Sequence, residues 1–528
     1  MRARTMIGAS LALLVLLVAA LWGLHRSTRP DHHAERLVLY AAAGMRAPVE
    51  ATIADYERYC REQLGREVGI EVEYGGSGTL LSRIQVTGEG DLFLAGDDSF
   101  IAAARERELV REAIPLATMK PVIAVARARR GEIRSLQDLL DGDYRIAIGA
   151  PDGTAIGHAT RRALERMGQW EAFEAKVEVV KPTVNDLGND VKIGAAEAAI
   201  VWDSIARQFG LEYVHDAALD AEPSEVVVGV IGGSDRPAAA LHFARFLGAP
   251  QRGLAHFEAS HFDVVDGDRW ADVPEINFFS GSVNRRALLP VLEAFERREG
   301  VRVNSVFQGC GALNAQMSTI RDQDSELGFP DGYLACDVYY LQPVGDWFGE
   351  ARAVSSTRIV IVTAEGNPHG IRGLKDLARP GIRLVVGHPS HSTIGGLTER
   401  LFRAYDLYDE IMPNVVERQP SSGMLVAPVV SGAADVSLAY YTDTLAEEDR
   451  LSTFELDTPY ARAVQPYGIA RSTHHPYLMR RLYAFIGDWH DHYQALGFGW
   501  ELGRPLEEFE VFVPAGVRPP VPGGEERD

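Results

Sequence analysis

The sequence predicts an α/β protein made of two tandem copies of one module, each with two lobes of mainly parallel sheet flanked by helices, behind an N-terminal transmembrane helix. Three observations carry this. Short β-branched and aromatic runs alternate with segments of helical periodicity along most of the 528 residues. The order of these signals replays itself 238 positions later. Residues 6–24 form an uncharged apolar stretch of 19 residues.

The repeat is best followed element by element. The first copy opens with a strand-like run, Leu37-Val38-Leu39-Tyr40, then small residues to Gly44, then a helix with Val49, Ile53 and Tyr56 at helical spacing. A second strand ends in Gly75-Gly76-Ser77-Gly78, and a helix follows with Thr79-Leu80-Leu81. A third strand is expected at Asp91-Leu92-Phe93-Leu94. The second copy answers with Ile276-Asn277-Phe278-Phe279, Ser280-Gly281-Ser282, a helix carrying Leu289, Val291, Leu292 and Phe295, and a strand ending in Gly309-Cys310-Gly311. Its next helix is expected to open at Ala312-Leu313 and its third strand at Asp337-Val338-Tyr339-Tyr340. Further on, Ser135-Leu136-Gln137-Asp138-Leu139 matches Gly373-Leu374-Lys375-Asp376-Leu377, and the stretch 194–202 matches 432–440, both at the same offset of 238.

These signals divide the chain into an anchor and polar stalk (1–35), a first module (36–265), a connecting segment, a second module (275–515) and a Pro-, Gly- and charge-rich tail expected to be disordered (516–528). Arg2 and Arg4 precede the apolar stretch, which nearly reaches the roughly 20 residues a helix needs to cross the hydrocarbon core. Trp22 and Leu24 stand where a cleavage site wants small residues, so an uncleaved signal anchor is favoured over a cleaved signal peptide. Either way the remainder is expected outside the cytoplasm, in the periplasm or at the cell exterior.

Composition excludes several classes. A net charge of −21 argues against general nucleic-acid binding, which needs Lys and Arg to displace counterions. It leaves a small anion open as ligand, because a site of N–H dipoles walled from solvent is insensitive to bulk charge. Three cysteines, Cys60, Cys310 and Cys336, show no zinc-type spacing; the latter two share one half of the chain, and spacing alone leaves their pairing undecided. His490 and His492 diverge on a helix, and no phosphate-loop, nucleophile-elbow or zincin motif occurs, so neither metal, cofactor nor enzymatic activity is expected.

In open sheets, ligands sit at the C-terminal strand ends where helix N-termini converge and their free N–H groups attract anions. The repeat puts small or hydroxylic residues at such junctions: Gly44, Ser77, Gly96, Thr154 and Ala155 in the first copy, Ser282, Cys310, Thr393 and Ser422 in the second. A single glycine after a strand is most often only a turn. Several in one order, twice over, form a pattern.

In that order, Tyr40-Ala41-Ala42-Ala43, Gly76-Ser77-Gly78-Thr79-Leu80, Asp91-Leu92-Phe93-Leu94 and Ile200-Val201-Trp202, with Gly309-Cys310-Gly311-Ala312-Leu313 and Tyr440-Tyr441-Thr442-Asp443 in the second copy, resemble the periplasmic molybdate-binding proteins of ABC transporters. The resemblance implies the type II periplasmic-binding fold and a tetrahedral oxyanion, molybdate or tungstate, held by hydroxyls and N–H groups between lobes. It also implies delivery of that anion to a transporter permease. It places ligand contacts at Gly44, Ser77, Gly96, Ala155-Ile156, Val184 and Trp202, and at Ser282, Cys310, Gln342, Thr393-Ile394, Ser422 and Tyr440. Gly44, Trp202 and Cys310 depart from the hydroxyls the family would supply, so neither copy is a standard molybdate site. The alternative is a ligand-sensing or scaffolding receptor without a transport role.

Overall fold

The computed structural model describes residues 35–322 and 327–509; the expected anchor at 6–24 and the tail after 515 lie outside them. Among the described residues no helix is long and apolar enough to cross a membrane. The chain divides into two compact units between Val265 and Asp266.

In the first unit the strands are β1 (Glu35–Ala42), β2 (Val68–Gly75), β3 (Leu92–Ala95), β4 (Val110–Met119), β5 (Pro121–Val125), β6 (Ile146–Gly149), β7 (Val177–Lys181), β8 (Ala198–Trp202), β9 (Glu212–Val214), β10 (Ser224–Ile231) and β11 (Asp263–Val264). They form two sheets, in the orders β11-β4-β10-β3-β1-β2 and β7-β6-β8-β5-β9, one per lobe. The chain leaves the first lobe through β4 and returns through β10. Lys120, at the crossing, is held by Asp203: its N–H donates to Asp203 Oδ1 (3.1 Å) and its carbonyl accepts from Asp203 N–H (2.9 Å).

The sheets are mixed rather than mainly parallel. β1 pairs in parallel with β2 and β3, but β10 runs antiparallel to β3 and β4, and β5 antiparallel to β8 and β9. The reason is the double crossing. A strand arriving from the other lobe enters its sheet at the cleft and must run away from it, while its neighbours run toward it.

The second unit repeats this with β12 (Glu275–Gly281), β13 (Arg302–Gln308), β14 (Gly332–Leu334), β15 (Phe348–Ala364), β16 (Leu384–Gly387), β17 (Val415–Gln419), β18 (Val436–Tyr440), β19 (Leu451–Glu455) and β20 (Arg462–Ala470). One strand of 17 residues, β15, replaces β4 and β5. It pairs with β20 as far as Arg358 and with β18 from Ile359, so both lobes share a single ladder, β13-β12-β14-β20-β15-β18-β16-β17.

The expected third strand of this unit is misplaced. The strand is Gly332–Leu334, whereas Asp337 caps a short buried helix, Val338–Leu341, by accepting from Tyr339 N–H (3.0 Å). A four-residue apolar run does not by itself distinguish a strand from a buried helical turn, and the acidic N-cap decides it. The first unit matches: Asp97 accepts from Ser99 N–H (3.0 Å) directly after β3. Gln342, expected as a ligand contact, consequently falls on an exposed 3-10 turn, and Cys336 takes the place corresponding to Gly96.

The helices lie against the sheets by their apolar faces. Val49, Tyr56 and Cys60 bury the inner side of helix Arg46–Gln63, and Leu288, Val291, Leu292 and Phe295 that of Arg285–Glu299. The latter helix ends on a buried ion pair, with Arg481 Nε donating to Glu299 Oε1 (2.7 Å) and Nη2 to Oε2 (3.2 Å). Removing Glu299 breaks both hydrogen bonds to the buried Arg481 guanidinium. Glu299→Ala is expected to destabilise the second unit by about 3–5 kcal/mol, read as a lower urea midpoint for that unit's transition.

Candidate functional site

The first unit's lobes enclose a cavity where four helical N-termini meet. Its walls are Ala43, Gly44 and Met45 before helix Arg46–Gln63; Gly76 and Ser77 opening helix Ser77–Thr87; Thr154, Ala155 and Ile156 opening helix Ala155–Arg166; and Thr183 and Val184 opening helix Val184–Ile193. Gly96 and Trp202, at the ends of β3 and β8, complete it. The space between protein atoms is about 280 Å3, including the part open to solvent. The enclosed part holds only about 20 Å3, room for a water-sized group, so the closed cleft admits at most a solute of few heavy atoms and lies far below the roughly 300–1,000 Å3 of sites for drug-sized molecules. None of these lining residues carries an ionisable side chain.

The helix starting at Ser77 begins two residues earlier than expected, which puts the Ser77 hydroxyl in its first turn. Ser77 Oγ accepts from Gly96 N–H (3.1 Å), so its own proton is free for the cavity. Thr154 and Thr183 spend their hydroxyls as caps. Thr154 Oγ1 accepts from Gly157 N–H (3.0 Å) and donates to Ala150 O (3.0 Å); Thr183 Oγ1 donates to Asp186 Oδ2 (2.6 Å) and accepts from its N–H (3.2 Å). First-turn N–H groups such as those of Ala155 and Ile156 have no helical acceptor, and both residues line the cavity. Gly44 lacks a side chain because the opposite lobe fills the space: a Cβ there would lie 3.1 Å from Val184 Cγ1 and 3.4 Å from Ile205 Cδ1.

The lobes touch through backbone. Gly78 and Thr79 N–H donate to Gly153 O (3.1 and 3.3 Å). A Cβ on Gly76 would fall 2.2 Å from Gly153 O, and one on Gly78 2.1 Å from Asp152 O. Asn185 Nδ2 donates across the cleft to Ala43 O (2.9 Å), and Arg162 reaches the fully buried Asp97 from the other lobe (3.2 Å).

The second unit repeats the contact and changes the chemistry. Cβ atoms on Gly309 and Gly311 would each fall 2.0 Å from the carbonyls of His391 and Ser390. Cys310, opening helix Cys310–Asp322, accepts at Sγ from Cys336 N–H (3.1 Å), as Ser77 does from Gly96. Ser282 and Ser422 meet across the lobes (3.4 Å), and Thr393 begins helix Thr393–Ala404 beside Cys310. Tyr440 ends β18, fully buried, its hydroxyl without a hydrogen-bond partner. By the register of the two 3-10 turns, Ala43–Met45 and Ser282–Asn284, Ser282 corresponds to Ala43, and Val283 to Gly44.

Sequence reasoning missed Thr183, whose Thr183-x-x-Asp186 spacing is a capping signal, and Asp443, behind Ser422. Burial pushes the Asp443 carboxyl up to about 6, against lowering by the Ser422 hydroxyl and Arg286. The corresponding position in the first unit is Ile205. Among the described residues, no group of three or more His, Cys, Asp or Glu is arranged to hold a metal. His388 and His391 stack on each other at 4.1 Å.

Two lobes crossed twice by the chain, closed over a small cleft, define the two-lobed solute receptors as a class. The sequence profile of the bacterial extracellular solute-binding proteins matches residues 37–263 and again 276–488, and the chain belongs to that family as a tandem of two such segments. A binding protein of Haemophilus influenzae is 30% identical over 227 residues, 43% of this chain and 90% of that protein. The molybdate-binding protein ModA of Mycobacterium tuberculosis is 28% identical over 214 residues, 39% of this chain and 77% of that protein. Solved structures of similar fold include the periplasmic molybdate-binding protein of Azotobacter vinelandii (18% identity, TM-score 0.37, 43% of this chain and 98% of that one). The sulfate-binding protein SubI of M. tuberculosis is another (20%, 0.36, 45% and 92%).

Gly76→Ala is expected to leave the fold intact, since Gly76 has ordinary extended backbone (φ −74°, ψ 143°), but to hold the first cleft ajar. Spectroscopic labels on the two lobes should report a longer mean separation. Asp443 binds its proton more tightly folded than unfolded, so its contribution is most favourable below about pH 4 and is lost as pH rises through 6. Asp443→Asn should remove that loss, about 2 kcal/mol after discounting partial exposure, and flatten the second unit's stability between pH 4 and 7.

Proposed function

We propose that the first module captures a small oxyanion of the molybdate or tungstate type, and that the chain delivers it to an ABC transporter permease. The carrying observation is the cavity itself: helix N-termini and the Ser77 hydroxyl face it, with no ionisable side chain on its wall. The positive helix ends supply the attraction, and the missing counter-charge keeps release possible. The molybdate-binding relatives support the choice of ligand. The ligand set in this reading is Gly44, Ser77, Gly96, Thr154, Ala155 and Trp202. Residues 6–24 hold the receptor at the outer face of the cytoplasmic membrane, in the periplasm. Two receptors on one tether raise the local concentration of both at the permease.

In the second module the ligand set in this reading is Ser282, Cys310, Thr393, Ser422 and Tyr440. Asp443 behind Ser422 sets it apart, because a carboxylate there repels an anion at neutral pH. The second module therefore takes a different solute, or takes anions only in acid.

The test is a thermal-shift series on the purified chain with molybdate, tungstate, sulfate and phosphate. Ligand at 100-fold over Kd should stabilise the first unit by about 2.7 kcal/mol. Ser77→Ala should weaken binding by roughly ten- to a hundredfold, the worth of one hydrogen bond to a charged group. Ser282→Ala should leave that response intact. No shift with any of the four anions would end the proposal.

A further inference from the structure

Where the first cleft has Ser77 and Gly96, the second has Cys310 and Cys336. Their sulfurs lie 2.9 Å apart, and the Cys336 N–H is directed at Cys310 Sγ. The surroundings are shaped to hold them. A side chain at Gly281 would place its Cβ 2.0 Å from Cys336 Sγ and 2.9 Å from Cys310 Sγ, so the bare glycine makes room for the pair. Both thiols are buried with the lobes closed, at 0% and 2% exposure. They are not equivalent. Burial favours the thiol at Cys310, yet its net shift is downward, with Cys336 the foremost opposing group; burial and the neighbouring sulfur push Cys336 well up. Cys310, in the first turn of its helix and accepting the Cys336 N–H, is the member placed to act as thiolate.

We propose that Cys310 and Cys336 are a redox-active pair on the floor of the second cleft, passing between dithiol and disulfide by exchange with an external disulfide while the lobes are apart. The exchange balances as follows. The Cys310 thiolate attacks one sulfur of a small or protein disulfide, forming a mixed disulfide and releasing the first thiolate. Cys336 loses its proton and attacks Cys310 Sγ, closing the internal bond and releasing the second. Two electrons and two protons leave the pair, and the partner departs as two thiols. Both cysteines belong to the same lobe, so the bond ties the first turn of helix Cys310–Asp322 to the end of β14 without locking the cleft shut. It also replaces a sulfur able to carry negative charge with a neutral one, on the face that meets the solute.

The full-length protein, equilibrated in glutathione buffers, quenched in acid, labelled under denaturing conditions with N-ethylmaleimide and mapped by mass spectrometry, tests the pair. In oxidising buffer Cys60, the remaining buried thiol, should take a label, and Cys310 and Cys336 should take none until a phosphine is added. Labels on both without reduction, or a separate glutathione on each, would overturn the proposal. The gating is read on native, reduced protein. Gly309→Ala, which would prop the second cleft open, should speed labelling of Cys310 and Cys336 at least tenfold, while Gly76→Ala in the first module should not. Equal rates in the two variants would overturn the gating. Gly311→Ala, with its Cβ 2.0 Å from Ser390 O, serves if Gly309→Ala does not fold. No solute enters these measurements, so their failure is distinct from failure of the anion reading.

Discussion

The carbonyl oxygens of Asp152 and Gly153 stand where the Cβ atoms of any other residue at 76 and 78 would have to be. Backbone meets backbone there, one lobe's helix N-terminus against the other lobe's turn, and the cleft can shut only because nothing is interposed. His391 and Ser390 do the same against Gly309 and Gly311. Closure sets the depth of the cavity, the convergence of the helix ends and the exclusion of water. An N–H aimed at an ion is worth more in such an enclosure than in water, because the effective dielectric constant falls. Each lobe taken alone presents only an ordinary sheet edge with capped helices.

That dependence explains what the sequence could and could not convey. The duplicated order of strands and glycine-rich turns located the helix N-termini, because turn chemistry and apolar periodicity are local properties. The direction of β10 and β5 was not local: it follows from the double crossing, which composition does not record. The helix starts at Ser77 and Cys310 were expected two residues late because glycine reads as a turn. Here it is a point of contact, and only the partner lobe's carbonyl reveals why. Asp337 was legible as a cap in principle. The apolar run behind it, Val338–Leu341, concealed that, and with it the fact that Cys336 occupies the place of Gly96.

The two clefts share a skeleton but not an electrostatic character. The first is a cradle of dipoles with one disposable hydroxyl. The second has two sulfurs, a phenol without a partner and a carboxyl whose proton is held to about pH 6. Duplication has kept what positions the lobes, the contact glycines, the acidic caps Asp97 and Asp337 and the double crossing, while the groups facing the solute have diverged. Asp97 with Arg162, and Asp337 with Arg400 nearby, show the same conservatism away from the ligand face.

The unbroken β15 bears on how differently the two copies can move. In the first unit the ladder is interrupted at Lys120, and a few backbone torsions there can absorb a swing of one sheet against the other. In the second, one strand of 17 residues passes from sheet to sheet without a break, its pairing irregular only ahead of Ser355. Bending that rod means twisting a continuous ribbon of paired amides rather than turning a joint. The second copy is therefore the stiffer spring, with a shorter stroke and a steeper return than the first.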